Sequence, residues 1–150
     1  MACLRAFTAS RTTDITGTRK VSDRTRSHLL KAEDLERSIS DDMLPSIQLT
    51  QSHDAAEHAF RAILFGMSIK RVGDHKLHAV AKEHRNELKD VWERLEPLLD
   101  DYEWLYEWRN VARYKHVDVP EYSNPEIAGE TLSRARRTAQ RLIEIARSLI

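Results

Sequence analysis

A chain of 150 residues, 41% apolar and 32% charged, suits one soluble domain around a single core and leaves no room for a second. Its 24 lysines and arginines balance 24 aspartates and glutamates, giving a formal net charge of zero. That balance excludes a broad attraction to polyanions, so any nucleic-acid contact must be local.

Residues 1–26 read as a flexible basic extension, rich in Thr, Ser and Arg and without sustained periodicity. Arg5, Arg11, Arg19, Lys20, Arg24 and Arg26 stand there against Asp14 and Asp23. This bias fits RNA binding or, in a eukaryote, organelle import; it fits equally a solvated tail or a start codon placed too early. Cys3 is the only cysteine, which excludes an internal disulfide and fits a reducing compartment. No window approaches the roughly 18 apolar residues of a membrane span, and the N-terminus lacks the apolar core of a secretory signal. The expected location is the cytoplasm, with no membrane partner.

From Ser27 to Ile150 the pattern predicts helix almost throughout. A first helix is expected from about Ser27 to Met43 on the stripe Leu29, Leu30, Ala32, Leu35 and Ile39, with Pro45 interrupting it. A second, central helix is expected from Ile47 to Ile69, where Ala55, Ala56, Ala59, Phe60, Ile63, Leu64 and Met67 recur at three-to-four spacing. Gly73 marks a break, and "HKLHAVAKEHRNELKDVWERL" resumes a more polar helix through Leu77, Val80, Ala81, Leu88, Val91 and Leu95. Pro97 either sits in the first turn of the next helix or kinks a longer one. The last helix is the best delimited: Ser123 or Asn124 caps it, Pro125 occupies its first turn, and Leu132, Ala135, Ala139, Leu142, Ala146 and Leu149 form its seam. Arg134, Arg136, Arg137, Arg141 and Arg147 take other faces, either as solvated surface or as an RNA contact. Four or five such helices with short connections predict an all-α, antiparallel bundle.

The chemistry concentrates in "YEWLYEWRNVARYKHVD", residues 102–118. Leu98, Tyr102, Leu105, Arg109, Ala112 and His116 alternate four and three apart, so Arg109 and His116 extend a core-facing stripe. At about 1.5 Å per residue they stand roughly 10 Å apart, too far to share one phosphate unless the chain bends or a second copy contributes; Arg113 lies between them. Histidine exchanges protons near neutral pH, and arginine offers a permanent planar fork to phosphate oxygens. Those are the two needs of RNA cleavage by the 2′-hydroxyl: proton transfer, and neutralisation of charge on the phosphoryl oxygens. The structural alternative is that Arg109 pairs with Glu57 or Glu107 and His116 interacts with a helix end.

Other constellations are weaker. His75, His78 and His84 near Asp74 favour packing or surface roles over a metal site, and His53 and His58 do not converge. Trp92, Trp104 and Trp108 suit burial or a dimer face better than base stacking. No phosphate-binding glycine loop and no serine or cysteine nucleophile motif is present, so hydrolases of those classes lack support; no metal or cofactor is expected.

Three groups of residues carry a family resemblance: Arg109, Asn110 and His116, in the pattern arginine, polar residue, then histidine; "AAEHAFRAILFG"; and "HKLHAV". With "ARY" and the closing "AGETLSRARRTAQRLIEIARSLI", they make the sequence from Ser27 to Ile150 resemble the HEPN superfamily of small helical bundles. The resemblance implies a metal-independent endoribonuclease, a toxin or defence effector, with Arg109, Asn110 and His116 catalytic. It also implies a homodimer whose two arginine–histidine sets face across a cleft; by their charge Arg113 and Lys115 are expected on flanking phosphates, and Glu57 is a candidate supporting residue. Some members resemble noncatalytic adaptors or partners of nucleotidyltransferases, which is the alternative reading. Where a partner nucleotidyltransferase modifies a toxin tyrosine two positions after the histidine, this chain has Asp118, which counts against that form of neutralisation and leaves a protein antitoxin open; an antitoxin or a nucleotidyltransferase is the expected partner.

Overall fold

The computed structural model describes residues 21–70, 72–73, 76–115 and 125–150, without the side chains of 111–115 and 125–128. Its elements are α1 (Asp23–Arg37), α2 (Pro45–Gly66), α3 (Leu77–Glu83), α4 (Lys89–Lys115) and α5 (Pro125–Arg147), with no strand among the described residues.

Helix α2 is the centre, packing on α1, α4 and α5, while short α3 bridges α2 and α4. Directions follow from the side chains that meet. Gln51 reaches Leu35 and His58 reaches His28, so α1 and α2 run antiparallel. Phe60 meets Tyr102 and Asp54 meets Arg109, so α4 also opposes α2. The expected all-α antiparallel bundle is what the chain forms. Its core contains Ala55, Ala56, Ala59, Ala62, Phe60, Ile63 and Leu64 of α2 with Leu95, Tyr102 and Leu105 of α4, all fully buried. The alanines allow neighbouring helices to approach closely, and each buried large apolar side chain contributes about 1.5–3 kcal/mol.

Boundaries depart from the spacing where polar chemistry decides. Helix α1 begins at Asp23 because the Ser22 hydroxyl accepts from the Thr25 amide at 3.2 Å, and Asp23 sits at the positive end of the dipole. Its stripe is narrower than expected, since Leu30 is exposed. It ends at Arg37 rather than Met43, and Gln48 of α2 donates to Met43 O at 2.8 Å, securing the connecting turn. Pro45 opens α2.

The C-terminus of α2 comes three residues before Ile69 because the chain folds into a Schellman cap. The Ile69 amide bonds Leu64 O and the Ser68 amide bonds Phe65 O, both at 2.9 Å. Ser68 takes the left-handed position usually given to glycine, with φ 67°.

The single helix expected over "HKLHAVAKEHRNELKDVWERL" is instead α3, a turn, and the start of α4 at Lys89. The turn lets Leu77, Ala81, Leu88 and Val91 all reach one core. Helix α4 then continues through Pro97.

In α5, Pro125 opens the helix as expected, and Ala135, Ala139, Leu142 and Ala146 are buried along the seam. The suggested caps Ser123 and Asn124 lie outside the described residues. Arg134 bonds Asp101 at 2.8 and 3.0 Å, Arg136 bonds Glu36 at 3.2 Å, and Arg147 bonds Glu33 at 2.8 and 3.1 Å. These arginines tie α5 to α4 and α1; Arg137 and Arg141 remain exposed.

Candidate functional site

The stripe on α4 faces α2 as its spacing predicts: Leu98, Tyr102, Leu105 and Arg109 are all buried. Four- and three-residue steps on α4 meet four- and three-residue steps on α2, where His53, Glu57 and Phe60 share a face. Tyr102 packs edge-on against Phe60, with ring centroids 5.0 Å apart. The His53 ring lies 5.8 Å from Tyr102 and 6.2 Å from Tyr106. From α3, His78 approaches the same two rings at 5.9 and 6.2 Å.

Arg109 closes this polar seam. It is 7% exposed, and its Nε lies 3.7 Å from Asp54 Oδ1. That distance makes an ion pair without a hydrogen bond, and among the described residues the buried Nε has no hydrogen-bond partner. The same Asp54 oxygen is 3.4 Å from His53 Nδ1. Asp54 thus stands between a buried imidazole and a buried guanidinium. Glu57 Oε2 lies 3.7 Å from Arg61 Nε, and Arg61 also donates to Val72 O.

Burial sets the proton balance of the seam. It pushes the His53 imidazole below its ordinary value, against the Asp54 contact and Glu57. It lowers His78 likewise, against Glu103, and raises the Tyr102 phenol well above its ordinary value. Near neutral pH the seam therefore holds two neutral imidazoles, a protonated phenol and the Asp54–Arg109 ion pair.

Asn110 is half-buried at the next position on α4. Arg113 and Lys115 are in the last turns of α4, with side chains outside the description, and His116 lies outside the described residues. The carboxylate beside Arg109 is Asp54, where spacing had offered Glu57 or Glu107. Sequence reasoning passed over Asp54 and Tyr106 and weighed His53 only against His58. The available signal was an adjacent histidine and aspartate opening the alanine-rich stripe of α2.

Trp104, Trp108 and His58 are engaged elsewhere. Trp104 and Trp108 meet at 65°, and the Arg134 guanidinium sits 4.0 Å above the Trp104 ring. His58 leaves the seam and shares a 2.9 Å Nδ1 contact with His28. Among the described residues no group of three or more His, Cys, Asp or Glu is placed to hold a metal. No helix there is long and apolar enough to cross a membrane.

A family model described as HEPN domain matches residues 29–150. No curated protein and no solved structure matches the chain.

Proposed function

The chain belongs to the HEPN family, and from that membership we propose that it is a metal-independent endoribonuclease acting as a homodimer. The observation that carries the reading is the contact of Arg109 with Asp54 between α4 and α2, at the arginine that opens the family-type arginine–polar–histidine run of the sequence. In the proposed reaction the substrate's 2′-oxygen, losing its proton to His116, attacks the adjacent phosphorus. The phosphorus–O5′ bond breaks, and the departing 5′-oxygen takes a proton from the protonated imidazole of the second copy. The products are a 2′,3′-cyclic phosphate and a 5′-hydroxyl. Arg109 offsets charge on the phosphoryl oxygens, Asn110 orients His116 or the phosphate, and Arg113 and Lys115 hold flanking phosphates. Glu57 of α2, which pairs with Arg61, is assigned a supporting role beside the site. A toxin or defence role in the cytoplasm, countered by a protein antitoxin, fits such an activity.

A second reading, a noncatalytic helical adaptor of the nucleotidyltransferase-partner kind, is favoured by the burial of Arg109, because a guanidinium 7% exposed offers little surface to a phosphate. Single-turnover cleavage of mixed RNA in EDTA separates the two. The RNase reading expects cleavage by the wild type and losses of at least about a hundredfold in His116→Ala and Arg109→Lys. Equal rates in wild type and both folded variants would leave the adaptor reading standing.

A further inference from the structure

Asp54 is engaged on two sides within the seam, by His53 and by Arg109, through the same oxygen. His53 is fully buried, while the Asp54 side chain is 37% exposed. The carboxylate therefore keeps much of its hydration and its charge, whereas the guanidinium, with its side chain 8% exposed, has lost most of its own. An arginine in that position depends on a nearby anion. The contact runs through Nε, which lies 3.7 Å from Asp54 Oδ1. An anchor on the Nε edge is compatible with a phosphate held by the two terminal nitrogens, the pair that matches phosphate oxygens.

We propose that His53 and Asp54 are positioning residues: Asp54 anchors the Nε edge of Arg109 so that its terminal nitrogens meet a phosphate, and neutral His53 fixes the Asp54 carboxylate. This role rests on the reading of Arg109 as the phosphate-binding group of an RNase. Neither side chain touches the reacting atoms. A doubly protonated His53 places a second cation beside Arg109 and competes for the shared oxygen, so acid loosens the arginine. Facing His53 are Asp54 and Glu57 from α2 and Tyr102, Tyr106 and Arg109 from α4, with His78 of α3 across the same tyrosines. Burial dominates over these groups in keeping the ring neutral near pH 7.

The test has two arms. In the first, protein carrying nitrogen-labelled arginine is followed by NMR from pH 8 down to the acid edge of the folded range, with the Arg109 Nε signal identified by its loss in Arg109→Lys. The wild-type signal should be displaced as His53 takes up its proton, and that displacement should vanish in folded Asp54→Asn. A signal that ignores pH, or one unchanged by Asp54→Asn, overturns the proposal. In the second arm, Asp54→Asn should lower kcat for RNA cleavage by about tenfold or more with little change in KM, the signature of a misplaced group. His53→Asn, whose amide can donate from near the Nδ1 position, should retain activity within about threefold, whereas His53→Phe should fall to the level of Asp54→Asn. Equal losses in His53→Asn and His53→Phe, both folded, overturn the proposal. A wild-type protein that cleaves no RNA defeats the RNase reading, and the NMR arm still decides whether Asp54 anchors Arg109.

Discussion

The Asp54–Arg109 pair should respond asymmetrically to truncation, because its two ends differ in solvation. Removing Asp54 leaves a guanidinium 8% exposed beside the seam without its ion-pair partner. Stranding a fully buried charge costs about 3–5 kcal/mol; with Asp54 itself 37% exposed and the pair without a hydrogen bond, about 2–3 kcal/mol is expected for Asp54→Ala. Arg109→Ala instead leaves a carboxylate that water already reaches. Its cost is mainly two buried methylenes at about 0.8 kcal/mol each, partly offset by no longer burying a charge, so about 1–1.5 kcal/mol. The double variant should be close to Arg109→Ala alone, since the stranded cation is gone. Urea unfolding at pH 7.5, followed by circular dichroism, gives all three values. An Arg109→Ala cost exceeding that of Asp54→Ala, or strict additivity in the double variant, would refute the reasoning.

Three further outcomes are expected. Ser68→Gly should stabilise the fold by about 1 kcal/mol by relieving a left-handed backbone at φ 67°, read as a higher urea midpoint; a lower midpoint contradicts the cap geometry. His28, His53, His58 and His78 are all held below the ordinary imidazole value, chiefly by burial, so the unfolded chain takes up protons first as pH falls. Their contribution to stability is fully present above about pH 6.5 and lost on acidification through the lower folded values. The melting temperature should therefore drop between pH 7.5 and pH 5, and less steeply in the His28→Asn/His58→Asn variant; equal drops contradict this. Lys115→Ala should weaken RNA affinity and reduce the salt slope by roughly one, as expected for one lost phosphate contact. An unchanged slope removes Lys115 from the RNA path.

What spacing encodes is the face a residue presents on its own helix. The α5 seam through Ala135, Ala139, Leu142 and Ala146 was readable for that reason, as was the α4 stripe carrying Tyr102, Leu105 and Arg109 to the core. The start of α1 was not, because the Ser22 cap lies in a polar stretch with no apolar period. The break between α3 and α4 was hidden too. No Gly or Pro marks it, and it follows from the need to bring Leu77 and Leu88 into one core. Asp54 was missed for a further reason: which carboxylate meets Arg109 depends on the axial register between α2 and α4, and neither helix's own periodicity contains that offset. Read singly, Asp54 and Glu57 are acids three residues apart on α2; Glu57 meets Arg61 one turn further along the same helix, whereas only the packed pair of helices sets Asp54 beside Arg109.

Product ends provide the most direct measurement of the central claim. Wild-type protein is incubated in EDTA with an RNA and with the same RNA carrying 2′-deoxynucleotides at its cleavage positions, and the fragment termini are identified by mass spectrometry. Attack by the substrate's own 2′-oxygen predicts 2′,3′-cyclic phosphate and 5′-hydroxyl ends on the RNA and an intact deoxy-substituted strand. Fragments with 3′-hydroxyl and 5′-phosphate ends, cleavage at the deoxy positions, or activity that appears only when magnesium is restored would contradict it.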